Sequence, residues 1–343
     1  MQNSLLRVLV AGIGGASLGT ELIKSLTAAK RYEVFGCDIS SLAYGHYDQG
    51  CSKSFVIPKS SYVESVLKIC QENEIRAVVP GGEGPLELLG PAARELQSFG
   101  ICVAANSPEV ISLCSDKALL FDRLRSLSQP MPWTATIEHI DSADQFPMPC
   151  VIKPALGTGG SRFVFLAADQ REAELYLTYV LENCKKALIQ EYIPENEGEF
   201  TIGVLSSPSD RLIGSVALRR TFNAKLSVLT QTKTGLISTG YSQGFIEDFA
   251  SVRSQAEKIA DLLGSTGPLN IQGRMRDGIL IPFEINPRFS ASTYLRAMAG
   301  FNEVDLFLRS VLLEEKTLNF TIRPGYYLRS LSELYVPVED IIR

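Results

Sequence analysis

The sequence predicts an α/β protein whose C-terminal part is α+β, and three observations carry that reading. Residues 7–104 alternate β-rich runs with helical periodicity, the pattern of an open parallel sheet. Residues 150–166 set two strands beside each other across a glycine loop. Apolar runs flank Arg276-Asp277-Gly278, which makes 270–286 an antiparallel hairpin. A chain of 343 residues can bury a large core, and its length suggests two or three domains.

In chain order, residues 7–11 form the first strand, and Gly12-Ile13-Gly14-Gly15-Ala16-Ser17-Leu18-Gly19 follows directly. A helix over 20–29 and a strand over 32–38, ending in Asp38, complete a Rossmann-like unit. Ser17 stands where the third glycine belongs, and a glycine loop at a helix N-terminus binds any anion, carboxylates included. The fold is better specified than the ligand. Gly14, Gly15 and Asp38 are candidates for substrate contact, and a dinucleotide-binding protein built on 12–38 stays open as an alternative. Further units follow: strand 55–57, helix 61–72, strand 77–80, a helix through Gly100, and strand 102–104. Gly81 and Gly82 bend the chain after 77–80, so Glu83 falls at the carboxyl edge of the sheet, where such folds place ligands. A solvated loop acid is an equal account of Glu83.

Ser107 caps a helix with Pro108 in its first turn. A second helix starts at 115–116 and carries Lys117 in its first turn, against the helix dipole. Residues 128–133 break that helix and read as a linker. Strand 150–153 ends in Lys153, the loop Gly157-Thr158-Gly159-Gly160-Ser161-Arg162 follows, and β pattern resumes at 163–166. A Walker-type P-loop needs a helix behind its glycines and is excluded. A glycine lid whose N–H groups close over phosphates fits instead, with Lys153 as a point charge. After helix 172–182, the strand-to-loop step Gln190-Glu191-Tyr192-Ile193 can offer C=O and N–H to an adenine edge, and Glu199 can accept from ribose hydroxyls.

On the second strand of the 270–286 hairpin, Glu284 and Asn286 leave the same face, and Gln272 on the partner strand comes alongside. A carboxylate and two amide oxygens are hard donors of the kind Mg²⁺ accepts. Pro287 ends the ladder and throws Arg288 out beside that spot, an arrangement suited to a transferring phosphoryl group. A half-buried hairpin with a wet polar face is the plainer alternative. Strands over 213–218 and 227–230 bring Arg219 and Lys233 forward as carboxylate holders, though solvated strand ends serve equally. Helices 247–263 and 303–313 pack the core. Residues 290–293 cap a helix over 294–299, with Ser290 expected to line the acceptor pocket. Residues 325–335 read as a closing pair of edge strands, in which Arg329 has no assignable role.

Composition narrows the class. Hydrophobic residues at 45%, charged residues at 21% and a net charge of −5 leave no nucleic-acid footprint. Seven cysteines without a Cys-x-x-Cys pair behave as small hydrophobes, and two histidines count against a zinc site or a His-based triad. No apolar run reaches transmembrane length, and residues 5–10 fit a first strand better than a signal core. A cytoplasmic enzyme with no membrane partner is the expectation.

Together, Ser107–Val110 with Ser115-Asp116-Lys117, Val151-Ile152-Lys153-Pro154 with the 157–162 loop, Gln190–Ile193, Gln272 and Phe283–Arg288 resemble the ATP-grasp superfamily, in its carbamoyl-phosphate synthetase large-subunit-like branch. The resemblance covers about residues 5–330. It implies a Rossmann-like pre-ATP-grasp domain at 1–114, a linker helix and lid at 115–192, and a C-terminal subdomain at 193–343, with ATP clasped between the last two. By the same resemblance Lys117 and Lys153 hold ATP phosphates, and Gly159, Gly160 and Ser161 close the lid. Gln190, Glu191, Tyr192 and Ile193 form the adenine hinge, and Glu199 takes the ribose. Gln272, Glu284 and Asn286 hold Mg²⁺ or Mn²⁺, and Arg288 stabilises the transferred phosphoryl. Many relatives carry an acid at Gln272, which leaves the number of metals open. The chemistry implied is a carboxylate–amine ligation through an acylphosphate, with release of ADP and phosphate. Phosphorylation or amination of a bicarbonate-like acid is the alternative within the same class. Partners are small molecules, and a homodimer is one option for the assembly.

Overall fold

A computed structural model describes residues 5–342, apart from 16–17, 140–145, 157–161, 210 and 224. The chain opens with β1 (Leu6–Ala11), α1 (Leu18–Ala29), β2 (Tyr32–Asp38), β3 (Lys53–Val56), α2 (Tyr62–Glu72), β4 (Ala77–Pro80), α3 (Glu83–Leu89), α4 (Ala93–Ser98) and β5 (Cys102–Val103). The five strands form one parallel sheet in the order β3-β2-β1-β4-β5. That is the strand order of a Rossmann half-fold. The single helix expected through Gly100 is divided in two, at Leu89 and Ala93. The close approach of α1 to the loop after β1 falls at Gly19, and Ser17 lies outside the described residues. A Cβ on Gly19 would stand 2.0 Å from Gly12 O.

α5 (Pro108–Ser115) and α6 (Lys117–Ser126) follow, each started by a side-chain cap. Ser107 accepts from Val110 N, and Asp116 accepts from Ala118 N and Leu119 N. β6 (Thr134–Ile137), β7 (Cys150–Pro154), β8 (Phe165–Ala167), α7 (Gln170–Asn183) and β9 (Ala187–Glu191) build a four-stranded sheet ordered β6-β9-β7-β8. All its pairings are antiparallel, and α7 covers one face with Ala173, Leu177 and Val180.

A six-stranded sheet forms the C-terminal part. Its strands are β10 (Glu199–Ser207), β11 (Arg211–Arg220), β14 (Gly244–Glu247), β15 (Pro268–Arg276), β16 (Ile279–Asn286) and β17 (Gly325–Tyr327), ordered β16-β15-β10-β11-β14-β17. A ribbon of β12 (Val228–Gln231) and β13 (Leu236–Ser238) lies beside it. α8 (Ala250–Leu262), with α6, packs one face, where Leu120, Phe121, Ala256 and Ile259 meet Ile202, Val204 and Ile271. α9 (Thr293–Met298) and α10 (Glu303–Leu312) pack the other face and also α1. The N-terminal and C-terminal sheets therefore share one core, in which Leu22 and Leu26 join Phe301 and Phe307. Tyr32 donates to Asp305 at 2.9 Å across that junction. Only β17 forms a strand in the closing segment, where a pair was expected; it bonds to β14.

Asp277 (φ 53°) and Gly278 (φ 72°) make the turn of the β15–β16 hairpin. Positive φ at both central positions is the type I′ geometry that suits the twist of the strands. The ladder pairs Asn270 with Asn286 and Gln272 with Glu284, then shifts so that Gly273 meets Pro282. Phe283 is the extra residue of that bulge, and Pro282, with no N–H to donate, tolerates the break. No helix among the described residues is long and apolar enough to cross a membrane.

Candidate active site

The four-stranded antiparallel sheet and the C-terminal sheet face each other across a cleft, and α3 walls one end. Lys117, Lys153, Gln190, Glu191, Tyr192, Ile193, Gln272, Glu284, Asn286, Arg288, Ser290 and Glu83 all line it.

Lys153 sits at the end of β7 with only 7% exposure. Its Nζ donates to Gln190 Oε1 at 2.9 Å and to Phe283 O at 2.8 Å. The second acceptor is available because the bulge leaves Phe283 out of register, so a defect in one sheet receives the lysine of the other. Burial pushes the Lys153 ammonium down to about 7; Lys117 adds to the effect and Glu284 opposes it. Lys117 reaches the same place because its own N–H donates to Ala155 O at 3.0 Å, docking α6 against the end of β7.

Glu284 and Asn286 leave one face of β16, and Gln272 lies directly opposite Glu284. Asn286 gives its Nδ2 to Glu284 Oε1 at 3.1 Å, so its Oδ1 is left as the donor atom for a cation. Among the described residues no three His, Cys, Asp or Glu gather in a metal-sized cluster. This trio holds one carboxylate and two amides, which fits a cation that keeps waters and phosphate oxygens in its shell. Arg288 follows Pro287 at the strand end. It donates to Glu83 Oε1 at 2.5 Å and to Phe289 O at 2.9 Å, while its Nε is buried with no partner among the described residues.

The strand-to-loop step at residues 190–193 is built by packing as well as by backbone. Glu191 accepts from Arg276 at 2.6 Å and from Trp133 N at 3.1 Å, and its own N–H donates to Trp133 O at 2.8 Å. Tyr192 N donates to Pro149 O at 3.1 Å, leaving Ile193 N with no hydrogen bond among the described residues. Arg274, on the same face of β15 as Gln272, donates to Ile193 O at 2.6 Å and lies 4.8 Å from the Tyr192 ring centroid.

Several expected residues are elsewhere. Glu199 is fully buried, held by Arg274 at 2.8 Å and beside Arg220 at 3.3 Å, and is not among the residues that line the cleft. Its two arginines turn a cleft acid into the anchor of a buried ion cluster. Arg219 points outward because β11 alternates, and its neighbour Arg220 takes the inward place. Lys233 is exposed in the β12–β13 turn. Gly14 and Asp38 line a separate cavity with Lys59 and Tyr62, on the far side of α3; Gly15 packs against Tyr44. Asp38 accepts from Ile13 N at 2.8 Å and from Ser40 N at 3.0 Å, so its carboxylate braces the glycine loop itself. Gly159, Gly160 and Ser161 lie outside the described residues.

Asn270, Arg274, Thr201 and Arg296 were not singled out in the sequence. Asn270 and Arg274 were within reach of it, since they alternate with Gln272 on one strand. Arg329 was left without a role, and the fold supplies one: it pairs with Glu21 at 3.2 Å and bonds Ala291 O, tying the tail to the loop after β16.

An α/β chain with a Rossmann-like sheet in front of two antiparallel sheets closing on a lysine- and glutamate-lined cleft defines a clasp-type protein. Residues 114–292, just over half of the chain, match the ATP-grasp domain family, and the chain belongs to it. Over 314 residues it is 25% identical to the carbamoyl phosphate synthase large chain of Rubrobacter xylanophilus, covering 86% of this chain and 28% of that protein. The Vibrio cholerae counterpart is 25% identical over 287 residues, 80% of this chain and 26% of the other. The chain thus spans little more than a quarter of the length of these relatives. Among solved structures, an L-amino acid ligase from Bacillus licheniformis superposes with a TM-score of 0.67 at 14% identity, covering 90% of this chain and 74% of that one. The biotin carboxylase domain of Hydrogenobacter thermophilus 2-oxoglutarate carboxylase, solved with MgADP, ADP and bicarbonate, gives 0.65 at 18% identity, covering 92% and 71%. At these identities the likeness is one of fold.

Proposed function

We propose that this chain uses ATP to activate a small carboxylic acid as an acylphosphate and passes the acyl group to an amine, releasing ADP and phosphate. The observation that carries the reading is the convergence on one cleft of Lys153, Gln272, Glu284, Asn286 and Arg288, drawn from two facing sheets. ATP would lie with its adenine edge at Ile193 N and its phosphates between Lys117 and Lys153. Gln272, Glu284 and Asn286 would hold Mg²⁺, with Mn²⁺ a substitute, and the ion would neutralise charge on the phosphates as they react.

The residues then have separable tasks. Lys153 and Lys117 orient the γ-phosphate for in-line attack by a carboxylate oxygen; the bond to the ADP oxygen breaks as the acylphosphate bond forms. Arg288, with its Nε still unpartnered, meets charge on the transferred group and then the oxyanion formed when the amine adds to the acyl carbon. Collapse of that adduct expels phosphate, which carries off the proton lost from the amine nitrogen, and leaves the amide. Water excluded from the closed cleft spares the acylphosphate from hydrolysis.

The biotin carboxylase domain of like fold, solved with bicarbonate, suggests one further arm within this chemistry, in which the acid is bicarbonate. The test is ADP release from Mg·ATP across a panel of acid–amine pairs, with bicarbonate as one acid and ammonia as one amine. Stimulation by a defined pair, with one ADP per amide formed, supports the ligase; no stimulation by any acid, together with a normal rate in Glu284→Ala, would refute it.

A further inference from the structure

Asn270 stands opposite Asn286 in the β15–β16 ladder, one level beyond Gln272 and Glu284, and lines the cleft while only 2% exposed. Its Oδ1 accepts from Thr201 Oγ1 at 3.0 Å and from Arg296 Nη2 at 2.7 Å. A guanidinium only donates, so the oxygen and not the nitrogen of this amide must face Arg296. Arg296 is itself fully buried and cannot turn away. Its Nη1 donates to both Glu303 oxygens at 3.1 and 3.2 Å, and its Nη2 reaches Thr201 Oγ1 at 3.0 Å. Thr293 Oγ1 holds Glu303 in turn at 3.1 Å.

The room for this ion pair comes from Gly203, the β10 partner of Asn270. A Cβ there would lie 1.9 Å from Glu303 Oε1 and 2.5 Å from Arg296 Nη1. With Oδ1 so committed, Asn270 presents Nδ2 to the cleft, and that nitrogen has no hydrogen bond among the described residues. The amide therefore differs from its neighbours: Gln272 and Asn286 offer oxygen to a cation, whereas Asn270 offers N–H.

We propose that Asn270 Nδ2 is a binding group for an anionic oxygen of the transferring phosphoryl, set in that orientation by the buried Arg296–Glu303 pair. The inference rests on the ATP-dependent reading above. It gives the cleft a neutral donor beside the cation site, on the side of Arg288, where charge on the phosphoryl must be met after ADP begins to leave.

The test measures two affinities on the intact chain: that of MgADP, and that of fluoroaluminate, a mimic of the phosphoryl in transfer, in the presence of saturating MgADP. In Asn270→Asp the side chain keeps acceptors for Arg296 and Thr201 but turns an oxygen toward the cleft. MgADP affinity should stay within about threefold of wild type, and fluoroaluminate should weaken at least about tenfold. If N270D no longer binds MgADP, Asn270→Ser, whose hydroxyl can still accept from Arg296, is held to the same two outcomes. Fluoroaluminate binding unchanged beside intact MgADP binding overturns the role of Asn270 alone. A wild-type chain that does not bind MgADP overturns the ATP-dependent reading, and this inference with it.

Discussion

Arg288 at the end of β16 donates to Glu83 at the start of α3 at 2.5 Å, so a group from the C-terminal sheet is held by a helix that packs on the N-terminal parallel sheet. Neither partner is fully exposed, with side-chain exposures of 18% and 43%. The pair orients Arg288 without using its Nε.

If Arg288 meets transition-state charge, Arg288→Ala should lower acid-dependent ADP release about a hundredfold or more with little change in the KM for ATP. Glu83→Gln keeps an oxygen acceptor for the guanidinium and should cost less than about tenfold. Steady-state kinetics of the two variants check this, and a larger loss in Glu83→Gln would contradict a purely orienting Glu83.

Lys153 gives a pH dependence with a definite sign. Its folded value is depressed to about 7 by burial, against the ordinary lysine range when unfolded. Between those values the unfolded chain binds the extra proton, so Lys153 makes stability rise with pH above about 7 in the free protein. Phosphates favour the charged form, so binding of Mg·ATP should take up a proton above pH 7, and affinity should fall as pH rises, by at most about tenfold per unit. Calorimetry in buffers of different ionisation enthalpy measures that uptake; Lys153→Met should abolish it.

Glu284 is the single carboxylate of the proposed cation site. Glu284→Ala should leave the chain folded, since Glu284 is only partly buried, yet reduce turnover below detection and weaken the stabilisation by Mg²⁺ with ATP. Chelation of Mg²⁺ in the wild type should reproduce the loss, and added Mn²⁺ should restore it. Melting curves with and without the metal separate folding from function.

Gly203→Ala would drive a methyl group into the Arg296–Glu303 pair. Breaking a buried pair of this kind costs about 3 kcal/mol or more. For a chain of this size that is a fall in melting temperature of about 4 °C or more. A variant melting within a degree of wild type would show that the pair can be displaced cheaply.

Much of this was legible because local rules and global fold agree. Asp277-Gly278 set the hairpin register, which alone would place Gln272 opposite Phe283, and the bulge at Phe283 moves it opposite Glu284. Ser107 and Asp116 announce their helices through capping that the structure contains. The ion cluster at Glu199 was not legible, because a sequence shows an acid on a strand but not the two arginines, from β11 and β15, that surround it after folding. The brace that Asp38 gives the glycine loop through Ile13 N was likewise hidden, since it forms only once β2 lies beside β1. Arg296 could not be found at all: its partners come from β10, β15 and α10, and no local pattern reports a network closed over such separations.

The most direct measurement is a crystal structure with Mg²⁺ and a nonhydrolysable ATP analogue. The account predicts a cation touching Glu284 and Asn286, phosphates at Lys117 and Lys153, and the purine against Ile193. Nucleotide found instead in the cavity lined by Gly12, Gly14 and Asp38, with the Glu284 face free of metal, would contradict it.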